Sequence, residues 1–292
     1  IFDACPSPPL KWDDLTAQSL IDCARSGVPS ELVSMPLAGA TAPVTLLGAL
    51  VQHTAECLSG VIIGQAANPS APMIWGGSPG VLDMRTGTTP MGSIETMMMD
   101  TAYAQIGKYL HLPTHAYMGL SDSKLIDFQG GFESGIGAIL AGLAGINVVS
   151  GAGMLNFENC QSIEKLILDN ELCGMAYRLI DGISQRNESI ALDLFRALSE
   201  SGYNFLSHDD TLQWYREEQY IPGAVVDRHS GELGSLSEKP SAADRAHERA
   251  KELLAKDDPR PIREDLRKEL TIMMEGEAKK YGMSQLPSVC SG

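Results

Sequence analysis

The sequence predicts an α/β protein built on a parallel sheet, and two observations carry that prediction. Short β-like runs bounded by Gly or Pro alternate with helix-length segments, and each such run is followed by a helical pattern. Parallel strands need a crossover of that length, so βα repetition implies a parallel sheet. At 292 residues, 43% of them hydrophobic, the chain is long enough to bury a sizeable core.

Taken in order, "IFDACPSPPL" reads as an opening strand and is followed by a helix over 13–26. "ELVSMPL" (31–37) leads to a helix at 43–66, "APMIWGG" (71–77) to one at 92–111, and "THAYMG" (114–119) to one at 124–144. "INVVSGAG" (146–153) then precedes helices at 161–183 and 188–201. Two architectures use such repetition, a doubly wound sheet and an eight-stranded barrel. The GxGxxG of a dinucleotide-binding first turn is missing: "GAG" at 151–153 comes late and leads into "MLNFENC". If the fold is a barrel, about three strands are absent at the N-terminus, which fits a chain that starts at Ile1 rather than Met.

Past residue 205 the character changes. "HDDTLQWYREEQYIPGAVVDRHSG" reads as a short amphipathic helix and a Pro222-Gly223 turn, and "PSAADRAHERAKELLAK" and "PIREDLRKELTIMMEGEAKK" as charged amphipathic helices. The expected organisation is therefore a βα portion over 1–205 and a C-terminal helical extension over 206–292.

Charge narrows the partners. With 22 basic against 37 acidic residues the net charge is -15, which repels nucleic acid and anionic lipid. Residues 206–292 hold 13 of the 22 Lys and Arg, leaving the βα portion acidic and suited to a cationic substrate. The six cysteines show no CxxC pair and no His at ligand spacing, and read as reduced, mostly buried thiols with no metal. No apolar run reaches the ~18 residues of a membrane span and no signal peptide opens the chain, so the expected location is cytoplasmic.

In βα folds the loops after the strands build the site. Those loops hold Gly39, Thr41 and Pro43; then Asp83, Arg85, Thr86 and Glu95; then Ser121, Asp122, Ser123, Lys124, Asp127, Gln129 and Glu133. "SDSK" at 121–124 is also a plain helix N-cap signal, and Arg85 could be a solvated surface residue. An early Lys124 and the glycines Gly130 and Gly131 fit a cap less well. Trp75, Tyr117, Phe128 and Phe157 fall at strand ends, each a core candidate by itself and together an aromatic box for a quaternary ammonium. His115 reads as a satisfied core imidazole and His208 as a weak lid candidate.

Five motifs follow one another along the chain: "PLAGATAPVTLLGALVQHTAE" (36–56), "DMRTGTTPMGSIE" (83–95), "LPTHAYMGLSDSKLIDFQGGFES" (112–134), "LAGINVVSGAGML" (143–155) and "HDDTLQWYREEQYIP...DR" (208–228). From about residue 30 to 228 the chain resembles the trimethylamine methyltransferase family. That resemblance implies a TIM (βα)8-type barrel of which this chain is the C-terminal part. It also implies transfer of a methyl group from a methylated amine to cobalamin carried by a separate corrinoid protein, in a homo-oligomer with no metal of its own. Met118, Gly119 and Leu120 precede Ser121 with only standard residues, which resembles the branch without pyrrolysine, some of whose members act on glycine betaine or other quaternary amines.

Carried onto this sequence, Asp122, Lys124 and Glu133 are the expected catalytic residues. Asp83, Arg85, Tyr117, Trp75, Gln129 and Asp127 are expected around the substrate, and Gly119, Ser121, Gly151 and Gly153 against the cofactor. A quaternary ammonium leaves as a neutral amine, so such a site needs placement and electrostatics more than a strong general base. A non-catalytic amine-binding or scaffold subunit is the second reading, and an unrelated barrel enzyme on a small acid the third. Cobalamin dependence separates them.

Overall fold

The computed structural model describes residues 1–186, 190–201, 204–230, 239–256 and 262–286. In chain order its elements are β1 (Phe2–Ala4), α1 (Asp14–Ser26), β2 (Ser30–Ser34), β3 (Leu37–Ala38), α2 (Leu46–Ala67), β4 (Met73–Gly77), β5 (Gly80–Val81), α3 (Ile94–Tyr109) and β6 (His115–Tyr117). They continue with α4 (Phe128–Ala144), β7 (Val148–Ser150), β8 (Met154–Leu155), β9 (Cys160–Gln161), α5 (Ile163–Asp181), α6 (Leu192–Ser201), α7 (Asp209–Glu218), α8 (Ala242–Ala255) and α9 (Glu264–Lys280).

The main strands are parallel and their order never reverses. β1, β2 and β4 form one sheet, and β6 pairs with β7. A bridge from Trp75 to Thr114 ties β4 to the start of β6. Right-handed crossovers with a one-way strand order put all the connecting helices on one face. Consecutive helices accordingly pack on each other, α1 on α2 through to α4 on α5. A doubly wound sheet would reverse direction at a switch point, and none occurs here.

The expected barrel is not closed. Among the described residues β1 and β7 are open edges, because the chain after β7 turns into the antiparallel β8–β9 hairpin and then helices instead of supplying further parallel strands. What is displayed is an open mixed α/β sheet.

Local chemistry explains the element ends. Asp13, Ser93, Asp127 and Ser162 each accept a backbone N–H at the start of α1, α3, α4 and α5, and Gly27 and Gly145 take the left-handed conformation after α1 and α4. The expected helix at 124–144 therefore starts at Phe128: Asp127 is the cap, and "SDSK" lies in the loop before it.

The helix side of the sheet is the core. Leu32, Trp75, Tyr103 and Ala116 are fully buried there, with Trp75 donating its indole N–H to the Tyr103 carbonyl at 3.1 Å. Gly107 lets α3 approach, since a Cβ there would lie 2.7 Å from the Trp75 ring. Contrary to the expectation that no apolar run is long enough, helix α2 could cross a membrane by length and composition alone. In this fold its buried positions include His53, Glu56 and Cys57, and it packs on β2 and β4.

The cysteines were expected to be mostly buried; among the described ones only Cys57 is, while Cys5 and Cys160 are exposed and Cys23 and Cys173 intermediate. Cys290 lies outside the described residues. Two compact units divide the chain, Ile1–Ala250 and Lys251–Gly292. In the second, α9 carries Glu264 and Asp265 in its first turn and Lys279 and Lys280 in its last, matching the helix dipole.

Candidate active site at the strand ends

Alternate residues of the strands that build the core point to the opposite, inner face. There the register sets Asp3 of β1 beside Glu31 of β2, and Tyr117 of β6 beside Ser150 of β7. Glu31 reaches across β4 to pair with Nδ1 of the His115 ring, both side chains being almost wholly buried. Gly76 makes the crossing possible, because a Cβ at that position would sit 2.9 Å from Glu31 Oε1. Nε2 of His115 meets Ser150 Oγ at 2.8 Å, so both ring nitrogens are engaged. Tyr117 packs its ring edge-on to His115 at 4.9 Å and donates its hydroxyl to Asp3 at 3.3 Å. Burial, with Asp3 and Glu31 adding to it, raises the Tyr117 hydroxyl pKa and keeps it protonated.

Above this face, carboxylates stitch the loops together. Asp122 accepts the backbone N–H groups of Met91 and Gly92, each at 2.9 Å, and so joins the loop after β6 to the loop before α3. Burial pushes its carboxyl up to about 6 against those two donors, and the Glu133 carboxylate adds to the rise. Glu133, on α4, accepts the Ser121 hydroxyl at 2.6 Å and the Asp122 N–H at 2.9 Å on one oxygen, and the Gln129 amide at 2.9 Å on the other. Lys124 turns back to donate to the Asp122 carbonyl at 2.8 Å, with its ammonium 4.0 Å from the centre of the Phe157 ring.

Most of the expected residues around Ser121–Glu133 are thus brought together, several as scaffolding. Asp127 caps α4 and accepts the Ser123 hydroxyl at 2.9 Å, and the Gly130 N–H holds its carboxyl below the usual range. Asp83 and Arg85 pair with each other, at 3.1 and 2.7 Å, on the surface. The Arg85 hydrogen bonds draw the Asp83 carboxyl down to about 2, and neither residue touches Asp122.

Trp75, expected as an aromatic wall, is instead in the core on the helix side, because its strand position has the opposite parity to His115 and Tyr117. Phe128 is exposed against Phe132 on α4, so the four-membered aromatic box reduces to Tyr117 and Phe157. His208 accepts the Asp210 N–H at 3.1 Å as the cap of α7.

The glycines divide by role. Gly119 (φ 79°) has open space where a Cβ would be, and α4 approaches it closely because Gly137 lacks a side chain that would lie 2.7 Å from the Gly119 nitrogen. At Gly151 a Cβ would meet the Met118 carbonyl at 2.7 Å, and at Gly153 the Gln161 amide, so both are needed for internal packing. No group of three or more metal-ligating side chains occurs among the described residues.

Sequence reasoning missed Asp3, Glu31, Asp100, Ser150 and Glu158. The signal for Asp3, Glu31 and Ser150 was strand parity, a polar residue next to an apolar one within each short run. Glu158 carried no such pattern.

Known proteins match this chain over nearly its whole length. The family model for trimethylamine methyltransferase (MTTB) matches residues 5–281. The chain is 32% identical over 281 residues to "Trimethylamine methyltransferase MttB" of Desulfitobacterium hafniense (strain DSM 10664 / DCB-2), covering 96% of this chain and 56% of that protein. It is also 32% identical over 278 residues to the protein of the same name from Methanosarcina barkeri, covering 95% and 55%. To "Glycine betaine methyltransferase" of Desulfitobacterium hafniense (strain Y51) it is 31% identical over 275 residues, covering 94% and 57%. The chain thus spans a little over half the length of the curated relatives it matches. By the extent of these matches the chain belongs to the trimethylamine methyltransferase family.

Proposed function

We propose that the protein containing this chain is a methyltransferase that takes a methyl group from a methylated amine, with a quaternary amine such as glycine betaine as the expected donor. The acceptor is the Co(I) cobalamin of a partner corrinoid protein. The observation that carries this reading is the polar end of the parallel strands: Tyr117 donates to Asp3 and feels the Glu31 and Glu158 carboxyl groups, and Glu158 in turn feels Asp122. An aromatic face with surrounding carboxylates attracts a positive nitrogen both electrostatically and through cation–π contact. Family membership supports the reaction class, and the one-way strand order supports a βα barrel to which this chain contributes its C-terminal portion, 1–205, with 206–292 as the helical extension. The proposed setting is a cytoplasmic homo-oligomer.

The residues fit a cofactor presented from outside. Gly119 leaves open space beside the Ser121–Asp122 loop. Co(I) cobalamin, when presented there, supplies the nucleophile for the methyl carbon. The chain's own residues do the rest: Tyr117 and the carboxylates hold the cationic nitrogen, Glu133 fixes the Ser121–Asp122 loop, and Lys124 caps that loop over Phe157. A quaternary donor departs as a neutral amine, so these groups need to orient and balance charge and need move no proton.

The test is spectroscopic. The native-length protein is mixed with a corrinoid protein reduced to Co(I) and with each of a panel of methylated amines, and absorbance is followed for methyl-Co(III). Conversion with a quaternary amine is expected. No conversion with any amine, using a corrinoid protein proven active with another methyltransferase, overturns the proposal in favour of a binding subunit.

A further inference from the structure

At the tip of the β8–β9 hairpin, three consecutive non-glycine residues take the left-handed conformation: Asn156 (φ 52°), Phe157 (φ 55°) and Glu158 (φ 66°). Single residues adopt it at a cost, and a run of three persists only where surrounding contacts hold it. Those contacts are present. The Asn156 N–H donates to the Ser123 carbonyl at 2.9 Å, the Asn159 side chain donates to the carbonyls of Asn156 and Phe157 at 3.0 and 3.1 Å, and Phe157 lies under Lys124.

The consequence of this turn is the position of Glu158. Its Oε1 is buried without a hydrogen-bond partner, and the charged group that acts on it is another carboxyl, Asp122. Glu158 in turn acts on the Tyr117 hydroxyl and on Asp100. Asp100, on α3, is fully buried, and neither of its carboxyl oxygens has a partner. An acceptor buried without a donor is costly, and a ligand, ion or water that completes it lowers that cost.

Resting on the proposed reaction, we propose that Glu158 is the anchor for the positive nitrogen of the substrate, set against the Tyr117 ring, with the buried, partnerless Asp100 carboxyl behind it. Burial, with Glu158 adding to it, raises the Asp100 carboxyl, and burial, with Asp122 adding to it, raises that of Glu158. A bound ammonium offsets both. Methyl groups on a positive nitrogen are polarised and meet a carboxylate oxygen through C–H···O contacts, so a quaternary centre completes the buried acceptor as well as balancing it.

The experiment measures binding and does not depend on methyl transfer. Tetramethylammonium, choline and the neutral choline isostere 3,3-dimethylbutan-1-ol are titrated into the native-length protein by calorimetry, with Glu158→Gln, Glu158→Asp and Asp100→Asn compared against wild type and folding checked by circular dichroism. Wild type is expected to prefer choline to its neutral isostere. Glu158→Gln is expected to weaken binding of both cations about 10- to 100-fold and to leave the neutral isostere unchanged, with partial rescue in Glu158→Asp. Asp100→Asn is expected to stay within about threefold of wild type, since burial favours the neutral form of the group it replaces. Cation binding unchanged in Glu158→Gln, or no cation binding by wild type, overturns the inference. Cation binding intact while no amine yields methyl-Co(III) leaves Glu158 as the anchor and removes the proposed reaction instead.

Discussion

The two faces of the parallel strands carry different chemistry. On the helix side Ala4, Leu32, Trp75 and Ala116 are sealed from solvent, and on the inner side Asp3, Glu31, His115, Tyr117 and Ser150 present carboxyl, imidazole and hydroxyl groups. Neighbouring residues of one strand thus serve different ends. The helix face supplies the burial that holds the fold, at roughly 25 cal/mol for each Å² of apolar surface removed from water. The inner face spends that stability on buried polar groups, which is the pattern expected of a site rather than of a core.

The sharpest way to break the comparison is on the helix face. Trp75→Ala removes a fully buried side chain and its hydrogen bond to Tyr103, and is expected to cost about 3–5 kcal/mol in chemical denaturation. A loss below about 1 kcal/mol would mean that Trp75 is not a core anchor.

Gly76→Ala tests the inner face. The new Cβ would press on Glu31, which has no room to withdraw while paired with His115, so a loss of about 1–3 kcal/mol is expected together with a larger fall in amine binding. An Ala variant that binds amine normally would separate the Glu31–His115 pair from function.

A third prediction concerns pH. The Asp122 carboxyl is raised from 3.8 to about 6, so its contribution favours the folded state fully below 3.8 and is lost as pH rises through about 6. Asp122→Asn is expected to flatten that part of the stability-versus-pH curve, read from thermal midpoints between pH 4 and 7. An unchanged slope would show that Asp122 titrates normally.

The smallest effect is expected at Arg85, whose side chain is 88% exposed. Arg85→Ala is expected to leave the unfolding midpoint unchanged. A rise in KM for glycine betaine but not for tetramethylammonium would assign Arg85 to the substrate carboxylate, and no change for either would leave it a surface pair.

Much of the fold was legible in the sequence because βα repetition writes itself in Gly- and Pro-bounded runs. The helix at 124–144 was placed a turn early for an identifiable reason. The segment holds two acids that can cap, Asp122 and Asp127, and only the tertiary position of Glu133 shows that Asp122 is held in the loop instead. Trp75 was misplaced because the end of a strand and its parity are separate facts, and the aromatic pattern gives only the first. The carboxyl cluster was illegible for a different reason: Asp3, Glu31, Asp122 and Glu158 are scattered along the chain, and register plus a strained turn bring them together.

The most direct measurement is a crystal structure of the native-length protein with tetramethylammonium bound. The account predicts the nitrogen within about 6 Å of the Tyr117 ring centre, with Glu158 on its other side. An ammonium bound away from the strand ends, with the inner face holding only water, would contradict it.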